Sequence, residues 1–438
     1  MTRFVLGSLF LNCQDQIYSE EYSDFIGNRS LIESKYALDC KQPLGAMFAS
    51  LYLKLSDGYE DGTVYGYYNI PKLFGLQDTG SMESSGILQV RENPDLKLDG
   101  SGVLIGFVDT GIDYAGSIFL KQDGTTRVIA IWDQTIPAES PIRLPELPET
   151  LENITRMPEG FLYGSEFTHE QLNAAVKMED AYEGISSRDE NGHGTFLASI
   201  AAGNELPDGS FTGAAPKADI AMVKLKPAKN RLRAYYQIKE DAVAYQENDI
   251  MAGVLYLVSL AKKRQQPLVI CLGLGTNAGS HRGGLPLARM LEELGSSVGI
   301  IIVAGTGNET ARGHHFEGQI SSENGYEDVE IRVAEGENGF FLELWANAPE
   351  TYSVAIRSPN GEVIPRIYVR PGRIEVLNFA LAQTRVEVSY RLSVTGTGEF
   401  LALLRFINIT PGVWTVRVYN DLFITGHYHM WLPIESFL

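Results

Sequence analysis

The stretch Gly102-Val103-Leu104-Ile105-Gly106-Phe107-Val108-Asp109-Thr110-Gly111-Ile112-Asp113 limits what this chain can fold into more than any other. Val103 to Val108 is apolar apart from Gly106, the composition of a short strand buried on both faces of a parallel sheet. The run stops at Asp-Thr-Gly, a turn. In open α/β sheets chemistry sits just past the carboxyl ends of the strands. Asp109 is thus placed where a carboxylate can orient a base.

The alternation that such a sheet needs runs from Gly86 to about Phe316. Arg127 to Trp132, Ile220 to Leu225, Leu268 to Leu272 and Ile300 to Val303 read as strands. Phe196 to Ala202, Asp249 to Lys263 and Leu285 to Leu294 read as helices. In the second of these, Ile250, Val254, Leu257 and Leu260 fall near helical spacing, and Lys262, Lys263 and Arg264 sit at the negative end of its dipole. Repetition of this kind predicts an α/β domain with a parallel sheet flanked by helices. The acidic, proline-rich stretch 133–189 is too long for a plain loop and is expected to fold as an insertion, with Met178 to Asp189 as a solvated face.

Beyond Glu317 the pattern changes. Val329, Ile331 and Val333 alternate with charged residues, and short β-runs recur between turn signals at Asn360-Gly361, Pro371-Gly372, Thr395-Gly396-Thr397-Gly398 and Pro411-Gly412. This predicts an antiparallel sandwich or jelly roll. Tyr428, Trp431, Phe423 and Phe437 are expected in its core, as are Trp345 and Trp414. At the other end, residues 1–85 read as a small α+β unit. Gly45 to Leu55 is a strand or short helix there, Val64 to Ile70 a strand, and Gly75 to Gly86 a polar loop. The expected division is 1–85, 86–316 and 317–438.

A formal charge of −19 without a basic stripe argues against nucleic acid as a partner. No apolar run of about 18 residues is present, so no membrane span is expected. Phe4 to Leu11 follows Arg3 but lacks a small-residue cleavage site, so a standard secretion signal is not expected either. Cys13, Cys40 and Cys271 are too few and too scattered for a disulfide framework or a zinc site. His314-His315 raises a metal question, but adjacent imidazoles on a loop more often face solvent.

Three glycine-rich turns follow strands or open a helix: Asp109-Thr110-Gly111, Asn191-Gly192-His193-Gly194-Thr195 and Gly305-Thr306-Gly307-Asn308-Glu309. Asp-Thr-Gly also marks aspartic proteases, but two aspartates must share one proton there. No second Asp-Thr-Gly exists, so that reading fails. Taken together and in this order, the turns resemble the aspartate, histidine and oxyanion-asparagine segments of the subtilisin-like serine proteases. Ala214-Ala215-Pro216-Lys217-Ala218 matches a further segment of that family. The resemblance implies that Asp109 orients His193, that His193 is the general base, and that Asn308 donates to the oxyanion. It also implies that Gly273, Leu274 and Gly275 pair with an extended protein or peptide substrate.

The tyrosine-rich leader, the acidic insertion and the β-region after Asn308 narrow the resemblance to the clostridial Csp germination proteases. Residues 1–85 then correspond to a prodomain whose tail lies in the cleft, cut between Leu76 and Ser85, and the β-region to an inserted jelly roll. A cytoplasmic or spore-associated location in a bacterium is expected on this basis. No cofactor is implied. Calcium is common among such proteases, yet no loop here alternates acidic ligands with a glycine and a terminal Glu, so no calcium site can be placed. One element of the resembled pattern is missing. No Gly-Thr-Ser with a small residue and Ala following occurs, which leaves the subtilisin-like sheet incomplete at its C-terminus and the chain without its nucleophile. The expectation is therefore a serine endopeptidase, inactive as given, with a pseudoprotease or binding regulator as the alternative.

Overall fold

The computed structural model of the chain describes residues 13–35, 40–54, 66–76, 98–144, 154–208, 211–321, 325–422 and 425–438. The N-terminal unit is an antiparallel sheet of β1 (Tyr22–Asn28), β2 (Lys41–Leu44) and β3 (Phe48–Lys54), in the order β1-β3-β2, with helix α1 (Arg29–Lys35) against it. Cys13 and Cys40 are joined by a disulfide in this unit, their Cα atoms 5.3 Å apart. The expectation of no disulfide framework is corrected to one bridge. The fold brings together two residues whose spacing alone carried no pairing signal.

Two further expectations for this unit fail. Tyr67–Asn69 is one 3-10 turn rather than part of a strand, entered from Gly66 at a φ of 74°. Residues 64 and 65 lie outside the described residues. Leu73–Leu76 (β4) is a strand although Gly75 was expected in a loop. It pairs on one side with β9 (Tyr245–Gln246) and on the other with β11 (Leu274–Gly275), distant segments that supply its hydrogen bonds. The rest of the expected loop, and the boundary at residues 85 and 86, lie outside the described residues.

The central sheet has the order β12-β10-β5-β8-β6-β7, from β5 (Leu104–Asp109), β6 (Val128–Asp133), β7 (Ser165–Thr168), β8 (Asp219–Lys224), β10 (Leu268–Leu272) and β12 (Ile300–Ala304). Every neighbouring pair is parallel except β6 with β7. All residues of β5 are buried, and strand alternation divides them between two cores. Leu104 and Val108 join a cluster with Ile250, Val254 and Leu257 of helix α6 (Glu247–Arg264). Ile105 and Phe107 join another with Leu197 and Ala198 of helix α4 (His193–Ala202). Gly106 lets α6 close onto the sheet, since a Cβ there would stand 2.7 Å from the Leu257 side chain.

The acidic insertion adds β7 to the sheet edge. It also forms α2 (His169–Val176), opened by a Thr168/Gln171 capping box, and the short α3 (Ala181–Gly184). Helices α5 (Asn230–Tyr236) and α7 (Pro286–Gly295) complete the domain. At the other edge, β12 leaves Ile301 and Val303 more than half-exposed or nearly so, at 61% and 50%, while Ile300 and Ile302 pack inward.

The C-terminal region is a two-sheet antiparallel sandwich, consistent with the expected jelly roll. One sheet runs β13-β22-β15-β20-β19-β18, from β13 (His315–Ile320), β15 (Gly339–Ala346), β18 (Ile374–Phe379), β19 (Thr384–Arg391), β20 (Phe400–Ile407) and β22 (Gly426–Trp431). The other runs β14-β21-β16-β17, from β14 (Tyr326–Val333), β16 (Tyr352–Arg357), β17 (Val363–Ile367) and β21 (Gly412–Asn420). Trp414, Tyr428, Phe437 and Trp345 are buried, the last against Tyr67 where sandwich and N-terminal unit meet. Trp431 is instead half-buried, and Phe423 lies outside the described residues. Among the described residues no helix is long and apolar enough to cross a membrane.

Candidate active site

Asp109 ends β5 on the carboxyl edge of the sheet, and His193 opens α4. The chain reaches that helix through Gly192 in the left-handed region, at a φ of 90°, which turns the imidazole back over the sheet edge. His193 Nδ1 stands 2.7 Å from Asp109 Oδ1, with the carboxylate 1% and the imidazole 13% exposed. The same oxygen accepts from the Thr110 amide at 2.8 Å. Oδ2 is buried and has no hydrogen-bond partner among the described residues. Burial pushes the Asp109 carboxyl up, while the hydrogen bond and charge of His193 pull it back.

The dyad rests on a brace that the sequence reading missed. Asp189 was expected on a solvated face, but it is half-buried and accepts hydrogen bonds from Thr110 Oγ1 (2.7 Å), the Gly192 amide (2.8 Å), the Thr195 amide (2.8 Å) and Thr195 Oγ1 (2.7 Å). One carboxylate thus ties the aspartate turn to the histidine helix. Burial alone would raise Asp189, yet the bonds from Thr195, Thr110 and Gly192 outweigh it and hold the carboxyl below its usual range. The available signal was Asp189 ahead of Asn191-Gly192, an acceptor before a tight turn and a helix start. Lys224, at the end of β8, secures the same loop through Arg188 O (2.6 Å) and Glu190 Oε2 (2.7 Å).

Gly273 follows β10 and lies against the dyad. A Cβ there would meet the Leu197 side chain at 2.3 Å, His193 Cε1 at 3.1 Å and Asp109 Oδ2 at 3.3 Å. Leu274 and Gly275 form β11, which pairs antiparallel with Leu76 and Gly75. Asn308 lies just beyond β12, exposed. Its turn is tied to β10 by the Gly305 amide donating to Leu272 O at 3.1 Å. Asp109, Gly273 and Asn308 therefore share the carboxyl rim of three adjacent strands, with His193 reaching the first two and Asn308 further along.

The Subtilase family (Peptidase_S8) matches residues 100–337, more than half of the chain, a span that includes Asp109, Asp189, His193, Gly273 to Gly275 and Asn308. The chain belongs to the subtilase family. It resembles the Clostridium perfringens CspB protease in structure, with a TM-score of 0.65 and 25% identity over 80% of this chain and 65% of that one. Among curated proteins it is similar to two subtilisin-like proteases of Arabidopsis thaliana. SBT3.8 is 31% identical over 28% of this chain and 16% of its own length, and SBT3.3 is 26% identical over 35% and 19%. The chain thus spans only part of each relative. Among the described residues no group of three or more His, Cys, Asp or Glu side chains is arranged around a metal position, so no calcium ligands are assigned.

Proposed function

We propose that this chain carries the acid–base and substrate-strand portion of a serine endopeptidase. The observation that carries the reading is the His193 Nδ1 to Asp109 Oδ1 contact of 2.7 Å at the sheet rim. Asp109 accepts the Nδ1 proton, fixes the tautomer and stabilises the imidazolium. His193 Nε2 takes the proton from a serine hydroxyl as its oxygen attacks the scissile carbonyl, then gives that proton to the departing amine. Asn308 donates to the oxyanion, a contact worth about 10²–10³ in turnover. Gly273 to Gly275 pairs with the extended substrate backbone.

Residues 1–85 act as a prodomain, and β4 is its tail. Its antiparallel pairing with Leu274 and Gly275 supports this, because a substrate adding to the same strand edge makes equivalent main-chain bonds. The cut falls between Leu76 and Ser85, of which residues 77–85 lie outside the described residues. No serine in a Gly-Thr-Ser-x-Ala setting occurs among the 438 residues, and on this reading these residues alone form no acyl-enzyme.

A fluorophosphonate probe tests this on the chain as given and on one extended in frame from the source gene. The expected result is no label and no peptide turnover for the first. The second should show both, each lost in its His193→Ala variant. Turnover and labelling by the 438-residue chain would refute the missing nucleophile. An extended chain that stays unlabelled points to a binding regulator instead.

A further inference from the structure

Strand β4 lies between β9 and β11, and its two faces meet different parts of the molecule. Alternation turns Phe74 to one side and Leu73 with Gly75 to the other. Phe74 joins a buried cluster that includes Tyr245, Leu272 and Leu274. Leu73 joins another with Tyr67, Tyr236, Ile434 and Phe437. Ile434 and Phe437 follow β22, so the end of the sandwich roofs the slot in which β4 runs. Gly75 faces that roof. A Cβ there would stand 2.4 Å from Ile434 Cδ1, 3.1 Å from Ser436 Oγ and 3.5 Å from Phe437 Cε1.

We propose that this slot selects glycine at the position Gly75 holds, and that Ile434 sets the selection. This rests on the reading of β4 as a tail lying on the substrate path. It names the substrate class: an extended segment whose glycine is preceded by an aromatic residue and, before that, an apolar one. Main-chain pairing to β9 and β11 holds such a strand without reading its sequence, and specificity comes from the side-chain pockets. Leu73 and Phe74 fill two buried pockets, and the third position has none.

A clash with the end of one side chain would matter little if that side chain could swing away. Ile434 is itself buried in the cluster with Leu73, and the backbone on either side of it is tied down. The Glu435 amide donates to Glu309 Oε1 at 3.2 Å, and its carboxylate pairs with Arg312 at 2.9 Å. In the 3-10 turn Glu435–Phe437, the Phe437 amide donates to Ile434 O at 2.9 Å, and the Lys239 amide donates to Phe437 O at 3.1 Å. Upstream, Asn277 Nδ2 donates to Leu432 O at 3.1 Å. Glu309 adjoins Asn308 and Asn277 lies just past β11, so segments of the candidate site hold the roof. Discrimination therefore grows with side-chain size. Alanine makes Ile434 shift its terminal carbon, whereas valine makes the roof lift.

Hydrogen exchange on the full chain tests the slot without needing turnover. Gly75→Val should speed exchange of the β4, β9 and β11 amides by at least about tenfold relative to those of β5, and Gly75→Ala by less. Ile434→Ala removes as many carbons as Gly75→Val adds, and the double variant should regain slow exchange. Parental exchange in Gly75→Val, or no recovery in the double variant, overturns the proposal. If Gly75→Val loses protection in β5 too, and so fails to fold, recovery in the double variant decides in the same way. On the chain extended in frame, a peptide of residues 71–88 should be cut with kcat/KM at least about tenfold above that of its Gly75→Val form. Ile434→Ala in the enzyme should narrow the ratio to within about threefold. Equal values for the two peptides in the parent overturn the selection. An extended chain with neither turnover nor fluorophosphonate label defeats the peptidase reading, and exchange then decides whether the slot selects glycine.

Discussion

Gly194 packs so closely on Gly111 that a Cβ on Gly194 would stand 2.2 Å from the Gly111 carbonyl oxygen. The first turn of α4 is thereby pressed onto the Asp-Thr-Gly turn, and the Gly194 amide donates to Thr110 Oγ1 at 2.9 Å. Because His193 precedes Gly194 and Asp109 precedes Thr110, this backbone contact sets the distance between imidazole and carboxylate.

Gly194→Ala should therefore open the dyad. Backbone cannot move aside as the end of a side chain can, so the helix must back away. The cost is expected at about 1–3 kcal/mol or more. Urea unfolding measures the loss, and the downfield NMR proton shared by His193 and Asp109 should weaken or disappear.

Asp189→Ala removes four acceptor contacts at once and leaves Thr110 and Thr195 hydroxyls without their partner. A loss of about 2–4 kcal/mol follows, given that hydrogen bonds to charged groups are each worth about 1.5–3 kcal/mol and do not add in full. In an extended, active form the variant should also lower kcat more than it raises KM, since Asp189 positions the dyad rather than the substrate.

Glu247 gives a pH signature. Its carboxylate is fully buried and accepts from the Leu287 amide (3.0 Å) and the Lys72 amide (3.1 Å). Burial raises its carboxyl above the ordinary 4.5, against the pull of Lys72, whose own burial holds its ammonium down to about 8. With the folded value raised, the unfolded chain ionises first. The contribution of Glu247 to stability is thus whole below 4.5 and falls as pH rises through the raised value. Unfolding free energies of the parent and Glu247→Gln, compared at successive pH values from 4 upward, should show the parent's advantage shrinking as pH rises. An advantage that grows with pH contradicts this sign.

The exposed face of β12 predicts self-association. Ile301 and Val303 present apolar side chains on a strand at the sheet's edge, the arrangement that templates pairing between chains. The double variant Ile301→Lys, Val303→Glu should shift sedimentation towards monomer without altering the thermal midpoint by more than a few degrees.

Local patterns account for most of the elements. The apolar run into Asp109, the helical spacing of Ile250, Val254 and Leu257, and the turn signals from Asn360 to Gly412 are written in neighbouring residues, and the strands, helices and sandwich follow them. Asp109 and His193 were legible for the same reason, as residues fixed by short glycine-punctuated turns. Other features depend on partners far away in the chain. β4 is a strand because Tyr245–Gln246 and Leu274–Gly275 pair with it. Asp189 is a brace because Thr110 folds back onto it, and His315 meets His429 because two strands far apart in the chain share one register. A residue's neighbours in sequence fix its backbone preference, but burial and hydrogen-bond partners come from chain closure, which no local pattern encodes.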